Sequence, residues 1–418
     1  MRKLYIVPGC AELPSTESVL RLITRFSDDY IFPNLLELEW YSSNRDPDLS
    51  NLLPLVVSRS LANFKLFLHN RFYAKKVLSG LSRAYSSLRS IYITKSNPAL
   101  VQESSTLLLN CTLQLRDFSV DAPVSRTAFL HASQLPYLRY FDVKDVRDDQ
   151  LQPPDGTPLP TTKFPSLEYL AIRGICTGSI WLDYLAQTRP QNLEVLLLEL
   201  KNVPAALHLK ALRDLGSCEL HRTLTDLMID CEDDFSGLEV DRKTVEHLLP
   251  LTQLTTLEIW FNCGENKCGY KLTDQDLEKL VKAMPNLEEM ALGRKLCSIP
   301  ANNSIKSLVA IAKHCKHLKV LSIHINVGAV ISGSSVTSFS GVESPSPRDS
   351  ALVKCPLTNI TLGPCLIPNG KQGIHEFAST LLRLFPCLSE VKSSYQDQQW
   401  KLVHDLVVDL STKSGHSW

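Results

Sequence analysis

Residues 164–172 read FPSLEYLAI, and the same phrase returns along the chain. It is MPNLEEMAL at 284–292, CKHLKVLSI at 315–323, LPYLRYFDV at 135–143 and FPNLLELEW at 32–40. Reduced to its fixed places it is L-x-x-L-x-L, with any large apolar residue at the three positions. Its first position falls on Met1, Leu35, Leu61, Leu88, Leu115, Leu138, Leu167, Leu193, Leu224, Leu254, Leu287, Leu318, Leu357 and Leu388. These are fourteen copies, separated by 23 to 39 residues. The end of the phrase alternates apolar, other, apolar, the period of a strand with one buried face. In the copy that opens at Leu167, Leu170 and Ile172 are expected inward, with Tyr169, Ala171 and Arg173 outward.

One such strand cannot bury its apolar face alone, so neighbouring copies must stack and share a core. Strands stacked in this way are parallel, and parallel strands need long crossovers. A short repeat carrying this phrase is the leucine-rich-repeat signature. Several crossovers read as helices. In LTDQDLEKLVKAMP (272–285), Thr273 and Asp276 form a capping box, Leu277, Leu280 and Val281 make one apolar stripe, and Pro285 ends it. SIKSLVAIAKHC (304–315) and GIHEFASTLLRLFP (373–386) carry the same stripe. The expected fold class is therefore α/β, a leucine-rich-repeat solenoid that is curved, with a parallel β-sheet on its concave face and helices on its convex face. It is expected over residues 1–395, with a Ser-rich loop at 328–350 and a C-terminal capping segment at 396–418, whose amphipathic stripe begins at Trp400 and continues through Val403, Leu406, Val407 and Leu410. A Pro- and Thr-rich loop interrupts the rhythm at 152–165. Only Asn262, Asn326 and Cys365 supply the Asn or Cys usual at the ninth repeat position, so the repeats are divergent.

Composition narrows the function classes. Lys plus Arg and Asp plus Glu both number 44, so the balance is neutral and no nucleic-acid partner is expected. There is no apolar run long enough for a membrane span. The start, MRKLYIVPGC, has too short an apolar stretch for a secretory signal, and twelve cysteines then read as reduced thiols of an intracellular protein. Cys263 and Cys268 have C-x4-C spacing with no matching pair, which reads as a surface loop. His314, Cys315 and His317 read as a charge cluster at a helix C-terminus. No nucleophile elbow or phosphate-binding loop is present. No catalytic residue, metal or cofactor is expected. Ser344-Pro345 and Ser346-Pro347 offer proline-directed phosphorylation sites, although an unmodified loop is the plainer reading.

FPNLLELEWYSS (32–43), LTDQDLEKLVKAMPNLEEMALG (272–293), SLVAIAKHCKHLKVLSIHIN (307–326) and LLRLFPCLSEVKSS with WKLVHDL (381–406) carry a family resemblance. In order and spacing the chain resembles the leucine-rich-repeat region of F-box proteins from mushroom-forming fungi, over nearly its whole length. That resemblance implies the target-recognition part of a substrate receptor for an SCF-type ubiquitin ligase. Met1 already lies on a repeat, so the helical F-box that would bind the ligase adaptor is expected to be absent. Adaptor binding then requires an F-box supplied elsewhere. The alternative is a stand-alone leucine-rich-repeat scaffold or inhibitor.

Strand alternation also names the residues expected to face a partner. The outward acids are Glu37, Glu39, Asp117, Asp121, Asp142, Glu199, Asp226, Asp230, Glu258, Glu289 and Glu390, against the bases Lys3, Lys65, Lys144, Arg173 and Lys392. Among them are Tyr5, Tyr41, Phe67, Tyr92, Tyr140, Tyr169 and Trp260, expected to be exposed. The expected protein-binding residues are Asp226, Asp230, Glu258, Trp260 and Glu289, with Tyr169 and Arg173. The expected partner is a target protein with a basic patch.

Overall fold

The computed structural model describes residues 2–6, 32–41, 57–67, 81, 86–94, 101–147, 164–175, 190–200, 212–213, 215, 222–231, 239–261, 269–293, 301–327, 355–363, 370–393 and 398–414. Every copy of the phrase supplies a strand. These are β1 (Lys3–Ile6), β2 (Glu37–Tyr41), β3 (Asn63–Phe67), β4 (Ser90–Thr94), β5 (Asp117–Val120), β7 (Tyr140–Val143), β9 (Tyr169–Ile175), β10 (Val195–Leu200), β11 (Asp226–Cys231), β12 (Thr256–Phe261), β13 (Glu289–Leu292), β14 (Val320–Ile323), β15 (Asn359–Leu362) and β16 (Glu390–Ser393). Two further short strands, β6 (Val124–Ser125) and β8 (Val146–Arg147), pair with each other in parallel. The other fourteen follow one another in sheet order exactly as in sequence. From β1 to β9 and from β11 to β16 the registers are parallel and place equivalent positions side by side, as in Leu38↔Phe64, Phe141↔Leu170 and Leu257↔Met290. With helices in the crossovers, this is an α/β leucine-rich-repeat solenoid. It divides into two compact units, Met1–Leu196 and Leu197–Trp418.

In the N-terminal unit the fixed places form the core. Leu35, Leu38, Phe64, Leu88, Ile91, Leu115, Phe118, Leu138, Phe141, Leu167, Leu170 and Ile172 are fully buried. Trp40 points inward as its place in the phrase predicts. Among the described residues of this unit two helices lie between strands, α1 (Val101–Asn110) and α2 (Arg126–Ala132). Their serines hold them in place. Ser104 Oγ donates to the Pro123 carbonyl at 2.5 Å, and Ser105 Oγ accepts from the Ser125 N–H at 2.7 Å. Ser125 in turn caps α2 by accepting from the Ala128 N–H. Phe129 of α2 packs edge-on against Phe141 and Phe164.

The C-terminal unit contains α3 (Arg242–Leu248), α4 (Asp274–Ala283), α5 (Ile305–His314), α6 (Lys371–Leu384) and α7 (Gln398–Ser414). The capping box expected at Thr273 and Asp276 is formed, and α3 carries a second one from Asp241 and Thr244. Asp274, beside the α4 cap, reaches across to the start of α5. Its carboxylate accepts from the Ser304 N–H at 2.7 Å, from Ser304 Oγ at 2.8 Å and from Ser307 Oγ at 2.5 Å. One carboxylate thus holds the N-terminus of the next repeat's helix. Helix α7 buries Trp400, Val403 and Val407, and Trp400 meets Phe377 of α6 edge-on. From α7, His404 Nδ1 accepts from the Val391 N–H of β16 at 3.3 Å.

At the strand ends of this unit His324 is buried and stacks on Tyr270. Two glycines make room for its ring. A Cβ at Gly293, whose φ is +96°, would lie 2.9 Å from His324 Nε2, and one at Gly363 would lie 2.6 Å from its Cγ. Neither position accepts a side chain unless the imidazole moves.

Two sequence expectations change. Ala171 shares the outward parity of Tyr169 and Arg173 but is fully buried, a methyl group sunk between longer side chains. The His314, Cys315 and His317 group is a charge cluster only in part: His314 is basic in the last turn of α5 and His317 is exposed. Cys315 is a buried C-cap residue, and His314 is pushed below the usual imidazole value by burial and then by Lys282 and Lys313. Cys263 and Cys268, the loops at 152–163 and 328–350, both Ser-Pro pairs, Asn262, Cys365 and Met1 lie outside the described residues.

Candidate functional site

The outward strand positions form the candidate surface, and each unit presents a different version of it. In the N-terminal unit the outward aromatics are packed against one another. Tyr41 stacks on Phe67 with ring centroids 4.4 Å apart. Tyr140 stacks on Tyr169 at 4.2 Å, nearly parallel, and Tyr92 lies 6.0 Å from Tyr140. Parallel register makes this possible by setting Tyr140 beside Tyr169 on adjacent strands. Tyr5 is 53% exposed, but the other aromatics of this face are only half-exposed, because ring faces cover ring faces. That corrects the expectation of freely exposed aromatics.

Charges on this face are also matched. Lys3 pairs with Glu37 at 2.9 Å, Lys144 with Asp121 at 3.6 Å and Arg173 with Asp142 at 3.1 Å. Ser90 Oγ donates to Asp117, and Tyr41 Oη donates to Glu39. Lys65 lies over the Tyr92 ring. Asp142 is the most enclosed of these groups, accepting from Arg173, Ser119 and Tyr140 while only 9% exposed. Burial raises its carboxyl above the usual value, and Arg173, Ser119 and Tyr140 pull it back only in part. Burial works against the Arg173 cation, but Asp142, Tyr169 and Tyr140 more than offset it. The Tyr140 hydroxyl is driven well above its ordinary value by burial and then by Asp142. The predicted residues Tyr169 and Arg173 thus belong to a rigid stack whose hub, Asp142, was visible in sequence only as one acid among many.

The C-terminal unit brings together the other five predicted residues on β11, β12 and β13. Asp226 and Glu289 flank Thr256 in one row, Glu258 lies between Met228 and Ala291 in the next, and Asp230 lies beside Trp260 in the third. Trp260 Nε1 donates to Glu258 Oε2 at 2.9 Å, and Thr225 Oγ1 donates to Asp226 at 2.7 Å. Glu289 is exposed. Among the described residues the outward acids of this unit are Glu199, Asp226, Asp230, Glu258, Glu289 and Glu390, against the base Lys392, which pairs with Glu390 at 2.7 Å. The five acids of the N-terminal unit face four bases. The acidic excess read from the sequence therefore belongs to the C-terminal unit. Among the described residues no group of three or more His, Cys, Asp or Glu is placed to hold a metal, and no helix is long and apolar enough to cross a membrane.

No family model and no curated protein matches the chain. Among solved structures it is similar to the Rad7–Elc1 complex of yeast, at 12% identity over 89% of this chain and 77% of that one, with a TM-score of 0.44. It is also similar to the internalin InlF of Listeria monocytogenes, at 14% identity over 90% of this chain and 79% of that one, with a TM-score of 0.36. The fold assignment rests on the chain's own strand order and register.

Proposed function

We propose that the chain is a non-catalytic recognition module that holds a target protein against the outward face of its sheet. The observation that carries this reading is the outward face of β11–β13, where Trp260 is fixed by its bond to Glu258 with Asp230 beside it, and Asp226 and Glu289 lie two rows away on the same face. An aromatic anchor with its rotamer already held binds at a smaller entropic penalty, and anchors of this type dominate protein interfaces. The acidic excess calls for a target with a basic patch and for association that slows with salt. The resemblance of the repeats to fungal F-box proteins supports a finer reading, in which the target is being delivered to a ubiquitin ligase.

The test is affinity capture with mass spectrometry, using the full chain and a variant carrying Asp230→Lys, Glu258→Lys and Trp260→Ala. A partner held by the wild type and released by the variant, with both melting alike, is the expected result. Equal capture by both overturns the outward-face reading. Adaptor and cullin subunits in the wild-type catch are expected under the ligase reading; a defined partner without them assigns the chain to the scaffold class.

A further inference from the structure

The phrase has a position that strand alternation does not cover, the residue directly after its first leucine. In the N-terminal unit these residues are Arg2, Leu36, Ala62, Arg89, Arg116, Arg139, Glu168 and Glu194. Each donates its N–H to the carbonyl of the one before, from Leu36 to Arg2 at 2.9 Å through Arg116 to Arg89 and Arg139 to Arg116 at 2.7 Å, and on to Glu194 with Glu168 at 2.8 Å. The backbone thus sets them in one row along the rim where the strands begin. Three arginines occupy consecutive places in that row, and all three are exposed.

Like charges on neighbouring strands repel, and the strand face beside this row matches its charges pair by pair. The rim does not. Arg139 has a 3.6 Å pair with Glu168, but neither Arg89 nor Arg116 has an ion pair among the described residues. A second observation lies on the same rim. Leu113, in the turn entering β5, is 62% exposed, and Tyr137, in the turn entering β7, is 58% exposed. Arginine and tyrosine beside exposed apolar surface are the composition of an interface hot spot.

We infer that this rim binds an acidic, extended segment of a partner protein. Three carboxylates of the segment meet Arg89, Arg116 and Arg139, cationic residues follow opposite Glu168 and Glu194, and an apolar side chain rests on Tyr137 and Leu113. The spacing fits. Adjacent strands lie about 4.8 Å apart, so the three arginines span roughly 10 Å, and alternate residues of an extended chain lie about 6.6 Å apart. Long arginine stems take up the difference. The guanidinium fork suits carboxylates. The change of sign at Glu168 limits the match to a short acidic run and fixes its direction. It also disfavours a nucleic-acid strand, whose charge does not change sign. Tyr140 and Tyr169, on the neighbouring face, are already stacked on each other and so each has one ring face closed to bases. This rim lies outside the acidic face proposed for the target and has the opposite charge, so the two readings stand or fall separately.

The test uses fluorescence anisotropy on the full chain with three labelled probes. One is a peptide with glutamate at three alternate positions, a leucine and two lysines after them. The second is its charge-swapped twin, and the third a short oligo-uridylate. The acidic peptide is expected to bind best, and binding is expected to weaken with salt. The double variant Arg89→Ser/Arg116→Ser should lose about tenfold or more in affinity. Arg89→Glu/Arg116→Glu should prefer the charge-swapped twin, and Lys392→Glu should change nothing. Circular-dichroism melts check that the variants fold; if the charge-reversed protein does not, the serine variant decides. Equal binding of the two peptides by the wild type, or no binding of either, overturns the proposal, as does indifference to the serine variant. Oligo-uridylate binding that equals the acidic peptide's and falls in the same variants overturns the choice of a protein segment.

Discussion

Asp142 shows how this sheet handles charge at the scale of one residue. Its carboxylate is almost covered, and burial raises its proton affinity despite the Arg173 cation 3.1 Å away. The native state therefore holds this proton more tightly than the unfolded chain does. In the window from the ordinary value of 3.8 up to the raised native one, rising pH lowers stability through this group. Removing the charge in Asp142→Asn should remove that slope. The stability of the wild type minus that of the variant should then be larger at pH 4 than at pH 7, measured by urea unfolding. A difference that grows with pH would mean that Arg173, not burial, governs the site. Leu170 is a simpler case. It is fully buried, so Leu170→Asp places an unpaired carboxylate in the core at several kcal/mol, against about 5–15 kcal/mol for a whole domain. Loss of the folded N-terminal unit is expected, and an unchanged melting temperature would refute that placement. Cysteines separate just as sharply. Burial pushes the thiols of Cys111 and Cys315 up to about 12 and that of Cys355 to about 11, while Cys387 is exposed. A thiol reagent at neutral pH should label Cys387 in the native protein and leave those three until denaturant is added, as peptide mass mapping can show.

At the scale of the element, the helices of the C-terminal unit depend on their first turns. Thr273 caps only its own helix, and Thr273→Ala should lose about 1 kcal/mol. Asp274 accepts three bonds from the start of α5, so Asp274→Ala should lose more, about 2 kcal/mol, and should destabilise α5 more than α4. Urea unfolding gives the first comparison and amide exchange of the two helices the second. Equal effects from the two substitutions would mean that the link between repeats contributes nothing. The same elements show why some of the fold was readable and some was not. The strands were legible because three apolar places at fixed spacing admit one register, and Phe141 or Leu257 at any other place would face water. Helix α4 was legible because its cap and stripe agree. Helix α1 was not, because Ser104 and Ser105 look like solvent-facing residues and reveal their burial only through Pro123 and Ser125, far along the chain. Strands β6 and β8 are two residues long and carry no period. Outward positions were legible as positions, but not as pairs. Alternation says that Tyr140 and Tyr169 face the same way, and only the register across the intervening crossover makes them touch. The arginine row escaped because it precedes the alternation altogether.

For the whole molecule, the repeat principle sets how damage spreads. Each strand is tied to its neighbours in sequence, so a local loss should travel repeat by repeat and weaken with distance. Leu321 in β14 is fully buried and pairs in register with Met290 and Ile360. Leu321→Asp should therefore strip amide protection from β13, β14 and β15 first. Asp274 ties α5 to α4, so α5 should be the next element to lose protection and α4 should hold longer. In the N-terminal unit, β2 to β5 have their own buried core in Leu38, Phe64, Ile91 and Phe118 and should remain protected. Hydrogen exchange read by mass spectrometry resolves these segments, and the thermal melt of the variant should show an early transition followed by a later one. The two faces give this experiment a functional reading as well. Binding through Trp260 and its acids on β11–β13 should fail together with the early transition, whereas binding to the arginine rim should persist until the late one. Uniform loss of protection across both units, with a single melt, would mean that the chain unfolds as one cooperative body and that its repeats do not act as nearest-neighbour units.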